Sequence, residues 1–254
     1  MLILEQYSNR EGDKIVQKEK FNTGFTLAEV LITLCVIGVV AAMTLSMLAN
    51  YQKKKVVAQL QRVYSVLSNG VKLSEQENGD CASWDYTIAS DTFADKYLVP
   101  YLKLSKNDKF MEIHDLDGAS LSDSDVLLNR NKTVDYTLVS GEIVHVSTSG
   151  TDNGYSTKLR VDMNGKLKPN TIGKDIFTFS ITPDYGLTIG SDRSNENSQW
   201  AMNHYSHKDR TYLLGKNMGT CNVNASTQVG YTKGDGCSLL IQIDWWKISN
   251  DYPW

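Results

Sequence analysis

The chain has 254 residues, enough for one sizeable domain or two small ones. Its 41% hydrophobic and 22% charged residues are ordinary for a folded protein. A formal net charge of -3 supplies no concentrated basic face, so no direct nucleic-acid partner is expected, and four prolines exclude a proline-rich linker.

Residues 1–24 form a polar leader in which Arg10, Lys14, Lys18 and Lys20 are balanced by Glu5, Glu11, Asp13 and Glu19. Phe25 to Asn50 is the apolar stretch. Between Glu29 and Lys53 lie 23 uncharged residues, roughly 35 Å of helix against a bilayer core of ~30 Å. A signal-peptide core would be only about 7–15 residues before a small-residue cleavage site. Ala41 and Ala42 resemble such a site, but apolar residues continue past them. The segment is therefore read as a membrane span. Lys53, Lys54 and Lys55 follow it, so basic residues on both sides leave the orientation undecided. Glu29 has two readings on its own. A carboxylate inside a span is costly and marks function; one at the membrane edge is unremarkable. Cys35 reads as a small buried apolar residue.

Gly24-Phe25-Thr26-Leu27-Ala28-Glu29, opening the apolar run, resembles the prepilin processing motif of type IV pilins and type II secretion pseudopilins. The motif combines a Gly before the cut, a Phe after it, a Glu at the fifth mature position and an uncharged helix. The resemblance implies that a prepilin peptidase cuts between Gly24 and Phe25 on the cytoplasmic side and methylates the new amine. It also implies that Glu29 neutralises the N-terminal ammonium of a neighbouring subunit. That attraction is about 4 kcal/mol at ~4 Å and an effective dielectric of 20. Desolvation offsets much of it, so the gain is register in a growing filament. Further partners implied are other pilin or pseudopilin subunits, the assembly platform with its ATPase, and the membrane. One departure is Ser46, which stands where such helices often carry a proline; Gly38 remains a flexible point.

Beyond the span, residues 51–79 continue as helix. Val56, Leu60, Val63, Tyr64, Leu67 and Val71 form one stripe at spacings of three or four. The helix is expected to reach about Gln76, before the Asn78-Gly79 turn signal. Lys53 to Lys55 suit anionic head groups, and equally a solvated helix turn.

Residues 80–254 read as a β-rich domain. Strands are expected at Tyr136–Val139, Ile143–Ser147, Lys158–Asp162, Phe177–Ile181, Gly186–Ile189 and Ser238–Ile243, with helices at Ala89–Leu98 and Asp123–Asn129. Asn164-Gly165 signals a tight turn or hairpin. The expected class is α+β: a long N-terminal helix, its first half in the membrane, packed on an antiparallel sheet as in pilins. Residues 161–186 also resemble a strand–turn–loop–strand segment of pilin-like secretion proteins. Asp162, Asn164 and Asp175 there carry oxygens suited to calcium, which some major pseudopilins bind in a loop. The full calcium-loop pattern is missing, turn chemistry accounts for these residues, and no metal or cofactor is expected.

Cys221 and Cys237 enclose a Gly-, Asn- and Thr-rich loop near the C-terminus, where many pilins carry a disulfide-bounded loop. That pairing is expected over any with Cys81, and it requires an oxidising compartment. The aromatic tail from Trp245 to Trp254 reads as core packing, with a subunit contact as the alternative. His204 and His207 lack a nearby Glu and read as loop histidines. No nucleophile elbow, phosphate loop or dinucleotide fingerprint occurs, so no enzyme is expected. The expected role is a structural filament subunit of the inner membrane with its C-terminal domain outside the cytoplasm. A minor pilin, a tip adhesin and a DNA-uptake pseudopilin are the alternatives.

Overall fold

The computed structural model describes residues 24–106, 112–121, 134–151, 154–165, 167–190, 210–227 and 231–254. The expected helix Asp123–Asn129, the basic leader residues, and His204 and His207 lie outside them. Helix α1 spans Leu27–Asn78, and neither Gly38 nor Ser46 interrupts it. The chain divides between Asn50 and Tyr51 into two compact units.

Within the second unit, the stripe on α1 supplies one wall of the core. Leu60, Val63, Leu67 and Val71 are buried, as is Val57. Tyr64 stacks on Phe179 of the sheet at 6.4 Å between ring centroids. Gln59 donates to the Met163 carbonyl, and Arg62 forms an ion pair with the buried Glu142. After α1 come α2 (Ser90–Tyr97) and α3 (Val99–Leu102). Pro100 sits in the first turn of α3, where its missing N–H costs nothing. Trp84 stacks on Tyr97 at 4.6 Å, with Tyr86 and Phe93 packed beside them.

The sheet has six antiparallel strands: β1 (Ser105–Lys106), β4 (Val134–Thr137), β5 (Ile143–Thr151), β6 (Gly154–Asp162), β7 (Ile176–Thr182) and β8 (Gly186–Ile189), neighbours in that order. β2 (Ile113–His114) and β3 (Ser120–Leu121) form a separate pair. The β4 strand lies two residues before the expected Tyr136–Val139 at both ends; it stops at Thr137 because the Leu138 N–H donates to the Glu142 carbonyl and opens the turn. The Asn164-Gly165 signal marks a real turn, with Asn164 N–H donating to Asp162 Oδ1 and Gly165 at a φ of 69°. It does not close a hairpin, since β7 resumes only at Ile176.

The expected strand Ser238–Ile243 is corrected. Those residues belong to a helix, Cys237–Ile243, labelled α5 after the short α4 (Arg210–Leu214). Cys237 through Ile241 are all buried, so the run shows no helical periodicity; a short apolar run of that kind fits either element.

The face of β5–β7 turned away from α1 is also buried. Register places Asp135 opposite His145, His145 opposite Arg160, and Arg160 opposite Thr178. All four are at most 3% exposed. The C-terminal segment covers part of this polar row. It then passes the edge of β7 just beyond the end of β8, where Ser238 Oγ donates to the Thr178 carbonyl at 2.7 Å. Trp246 emerges on the α1 side against Tyr64 at 6.0 Å.

Candidate functional site

The first unit presents the strongest functional feature. Helix α1 is long and apolar enough at its N-terminal end to cross a membrane, and 0% of its apolar window is buried within the chain. Phe25 is 85% exposed, and Leu31, Ile32, Leu34 and Ile37 are exposed with it. Exposed apolar surface of this extent is the kind that contacts with lipid or with other apolar helices cover.

Glu29 completes the first turn. Its Oε2 accepts from the Thr26 N–H and the Thr26 hydroxyl, both at 2.8 Å, while the Glu29 N–H donates back to Thr26 Oγ1 at 3.2 Å. This is a capping box, in which two otherwise orphaned N–H groups are satisfied reciprocally. The Thr-x-x-Glu spacing before an apolar run is the sequence signal for it, and the reading of Glu29 from charge alone missed it. Gly24 and Phe25 precede the helix in non-helical backbone, and no neighbouring atom lies within 4 Å of a Cβ placed on Gly24.

In the second unit, Cys221 and Cys237 form a disulfide. It ties the loop before α5 to the first residue of that helix. Cys81 is buried and free, and Cys35 is free and exposed. Burial, with Glu75 beside it, pushes the Cys81 thiol far above its ordinary range, which makes it inert.

Asp162, Asn164 and Asp175 meet at the foot of the β6–β7 pair. Asp175 Oδ2 accepts from Asn164 Nδ2 at 3.0 Å and from the Asn170 N–H at 2.9 Å; its Oδ1 accepts from the Thr171 N–H at 2.6 Å. Asn170, absent from the sequence-based set, completes this loop in a left-handed conformation with a φ of 53°. Among the described residues, no three His, Cys, Asp or Glu side chains gather as a metal-ligating group.

Asp235 is the centre of the buried polar face and was not anticipated. It is fully buried and accepts from Lys158 Nζ at 3.1 Å, Arg160 Nε at 3.1 Å and Nη2 at 3.2 Å. Thr178 Oγ1 donates to it at 2.8 Å and the Thr232 N–H at 3.0 Å. Burial opposes the carboxylate charge, but Arg160 and Lys158 outweigh it and hold the group well below the usual range. Burial likewise drives the Lys158 ammonium down to about 8; Asp235 opposes that push and Arg160 adds to it. The arrangement is a buried clamp in which Asp235 joins Lys158 and Arg160 of β6 to Thr178 of β7.

A family model described as a family of unknown function (DUF6613) matches residues 46–254. The chain belongs to DUF6613. No curated protein and no solved structure matches it. The DUF6613 match takes in the whole second unit, including Asp235, the disulfide and the Asp162–Asp175 loop. The capping box and Gly24-Phe25 lie N-terminal to the part of the chain that defines DUF6613.

Proposed function

We propose that the chain is a structural subunit of a type IV pilus-like or type II secretion pseudopilus filament. A prepilin peptidase removes residues 1–24, the 25–50 segment anchors the product in the inner membrane, and subunits assemble through that helix. The C-terminal unit stands outside the cytoplasm, and the assembly platform with its ATPase drives growth. The observation that carries this reading is Gly24-Phe25-Thr26-Leu27-Ala28-Glu29 directly opening a 23-residue uncharged helix with its apolar side chains exposed. Two features support it. The outer part of α1 packs on an antiparallel sheet, as a pilin-like subunit requires, and a disulfide suits an oxidising compartment.

The deciding experiment is N-terminal mass spectrometry of the protein purified from its native membrane. A chain beginning at Phe25, with a methylated amine, is the expected result. An intact leader in cells with active prepilin peptidase would overturn the proposal.

A further inference from the structure

The two ends of the second unit differ in charge. Where the chain enters it, Tyr51 is 65% exposed, and Lys53, Lys54 and Lys55 follow, the last two exposed. Two loops are tied to α1 just beyond them. Gln59 Nε2 donates to the Met163 carbonyl at 3.3 Å, and Arg62 pairs with Glu142. Lys55 stands one turn before Gln59 on the same helix face. The turns that follow β4 and β6 also meet, since a Cβ on Gly165 would lie 2.7 Å from the Gly141 carbonyl oxygen. The other end holds the finish of α1 and the β7–β8 turn, where a Cβ on Gly186 would lie 3.8 Å from Cys81 Sγ. There the exposed Lys72 and Lys96 are outnumbered by the exposed Glu77, Asp80, Asp85 and Asp184.

The basic end also carries apolar tips. Val139, in the turn between β4 and β5, is 84% exposed, and Leu167, just past Gly165, is 68% exposed. Lys168 beside Leu167 is exposed, and Lys174 is half-buried. Among the described residues, none of Lys53, Lys54, Lys55, Lys168 and Lys174 has an acidic partner. The carboxylates bonded into the two loops are drawn inside: Glu142, Asp162 and Asp175 are at most 5% exposed. Glu112, whose carbonyl accepts from Asn170, is the exposed exception, and its carboxylate accepts from Ser120. Apolar tips set among cations suit an anionic bilayer surface, where buried apolar area and charge attraction add. Tyrosine is enriched at the same head-group level. A solvated helix turn accounts for the three lysines after Tyr51 but not for Val139 and Leu167.

We propose that this end of the second unit docks on anionic phospholipid head groups. Val139 and Leu167 enter the head-group boundary, while Lys54, Lys55 and Lys168 contact phosphates. Lipid is the occupant because the charge is of complementary sign and the apolar segment of α1 ends at Asn50, directly before Tyr51. The inference rests on the reading of residues 25–50 as a membrane segment. It adds a second contact with the same bilayer, made by the folded unit and sensitive to lipid charge.

The test places the full chain, one copy per nanodisc, in phosphatidylcholine alone or mixed with phosphatidylglycerol. Val139→Cys and Leu167→Cys, each in a Cys35→Ala chain, carry an environment-sensitive fluorophore; Asp184→Cys in the same background is the control, and Cys81 is buried. The wild-type chain labelled at Cys35 reports the span. In anionic nanodiscs the labels at 139 and 167 should shift to the blue and be quenched by nitroxide-bearing lipid, while the label at 184 stays aqueous. Neutral lipid should weaken the effect, as should 1 M salt, which cuts the screening length to about 3 Å. Changing Lys54, Lys55 and Lys168 to Gln should lower the ratio of docked to undocked chains about fivefold per lysine. Aqueous labels at 139 and 167 beside a quenched Cys35 label would overturn the docking alone. An unquenched Cys35 label would overturn the membrane reading and the docking with it. A blue shift without lipid quenching, or equal quenching in neutral lipid, would also overturn the assignment to anionic head groups.

Discussion

Replacing Asp235 with Asn tests whether the buried clamp holds the second unit together. The substitution preserves shape and most acceptor positions but removes the carboxylate that Lys158 and Arg160 share. Breaking a buried ion pair from one side costs about 3–5 kcal/mol. For a unit of 204 residues (Tyr51–Trp254), each kcal/mol shifts the midpoint by about 2–4 °C, so a drop of roughly 6–20 °C is expected. The assay is thermal unfolding of the full chain in detergent at neutral pH, followed by tryptophan fluorescence. Asp184→Asn, in the exposed β7–β8 turn, is the control and should change stability by no more than about 0.5 kcal/mol. The sign with pH is a second check. The Asp235 pKa is depressed on folding, so its contribution is full above the unfolded pKa and is lost as pH falls below about 4. The gap between variant and wild type should narrow there. A loss under about 1 kcal/mol at neutral pH would refute the argument.

Three more outcomes follow from the same geometry. Glu29→Gln retains the capping-box acceptor but not the charge, so the helix start should persist while filament yield collapses; wild-type yield would leave Glu29 a cap alone. Replacing both Cys221 and Cys237 with Ser reopens a loop of 16 residues' separation and should cost about 3 kcal/mol by urea unfolding. Burial pushes Asp115 up to about 6, so its charge costs stability that is absent below about pH 4 and complete above pH 6. Asp115→Asn should therefore stabilise the chain by roughly 1–3 kcal/mol at pH 8 and by nothing measurable at pH 4 in denaturant titrations.

Periodicity made much of this architecture readable. The stripe from Val56 to Val71 is spaced for one helix face, and that face is the buried one. Four strands, from Ile143, Lys158, Phe177 and Gly186, lie within the elements observed, because β-branched and aromatic residues alternate there between turn formers. The same alternation misleads about the other face. Lys158, Arg160 and Thr178 look solvent-bound, and only a residue more than fifty positions away brings them inside. That contact has no local signature. Cys237–Ile243 fails for a related reason: a helix buried on every side loses its periodicity, and its two isoleucines favour strand. In the candidate site, Gly24 to Glu29 is legible as a contiguous string that resembles a processing motif. Asn170 is not, because its role depends on a left-handed backbone and a fold-back onto Asp175.

The position of Asp235 also orders events during synthesis. Lys158 and Arg160 leave the ribosome 77 and 75 residues before the carboxylate that joins them. The C-terminal tail closes over the same region only when Arg210 meets Asp244 and Asp251, and Tyr252 reaches the Gly173 carbonyl at 2.5 Å. A chain that stops before Asp235 thus holds every described strand but not the group that joins Lys158 to Arg160. Such a product leaves the carboxylate shared by Lys158 and Arg160 out of the fold, and limited proteolysis should cut it faster than a chain that carries Asp235.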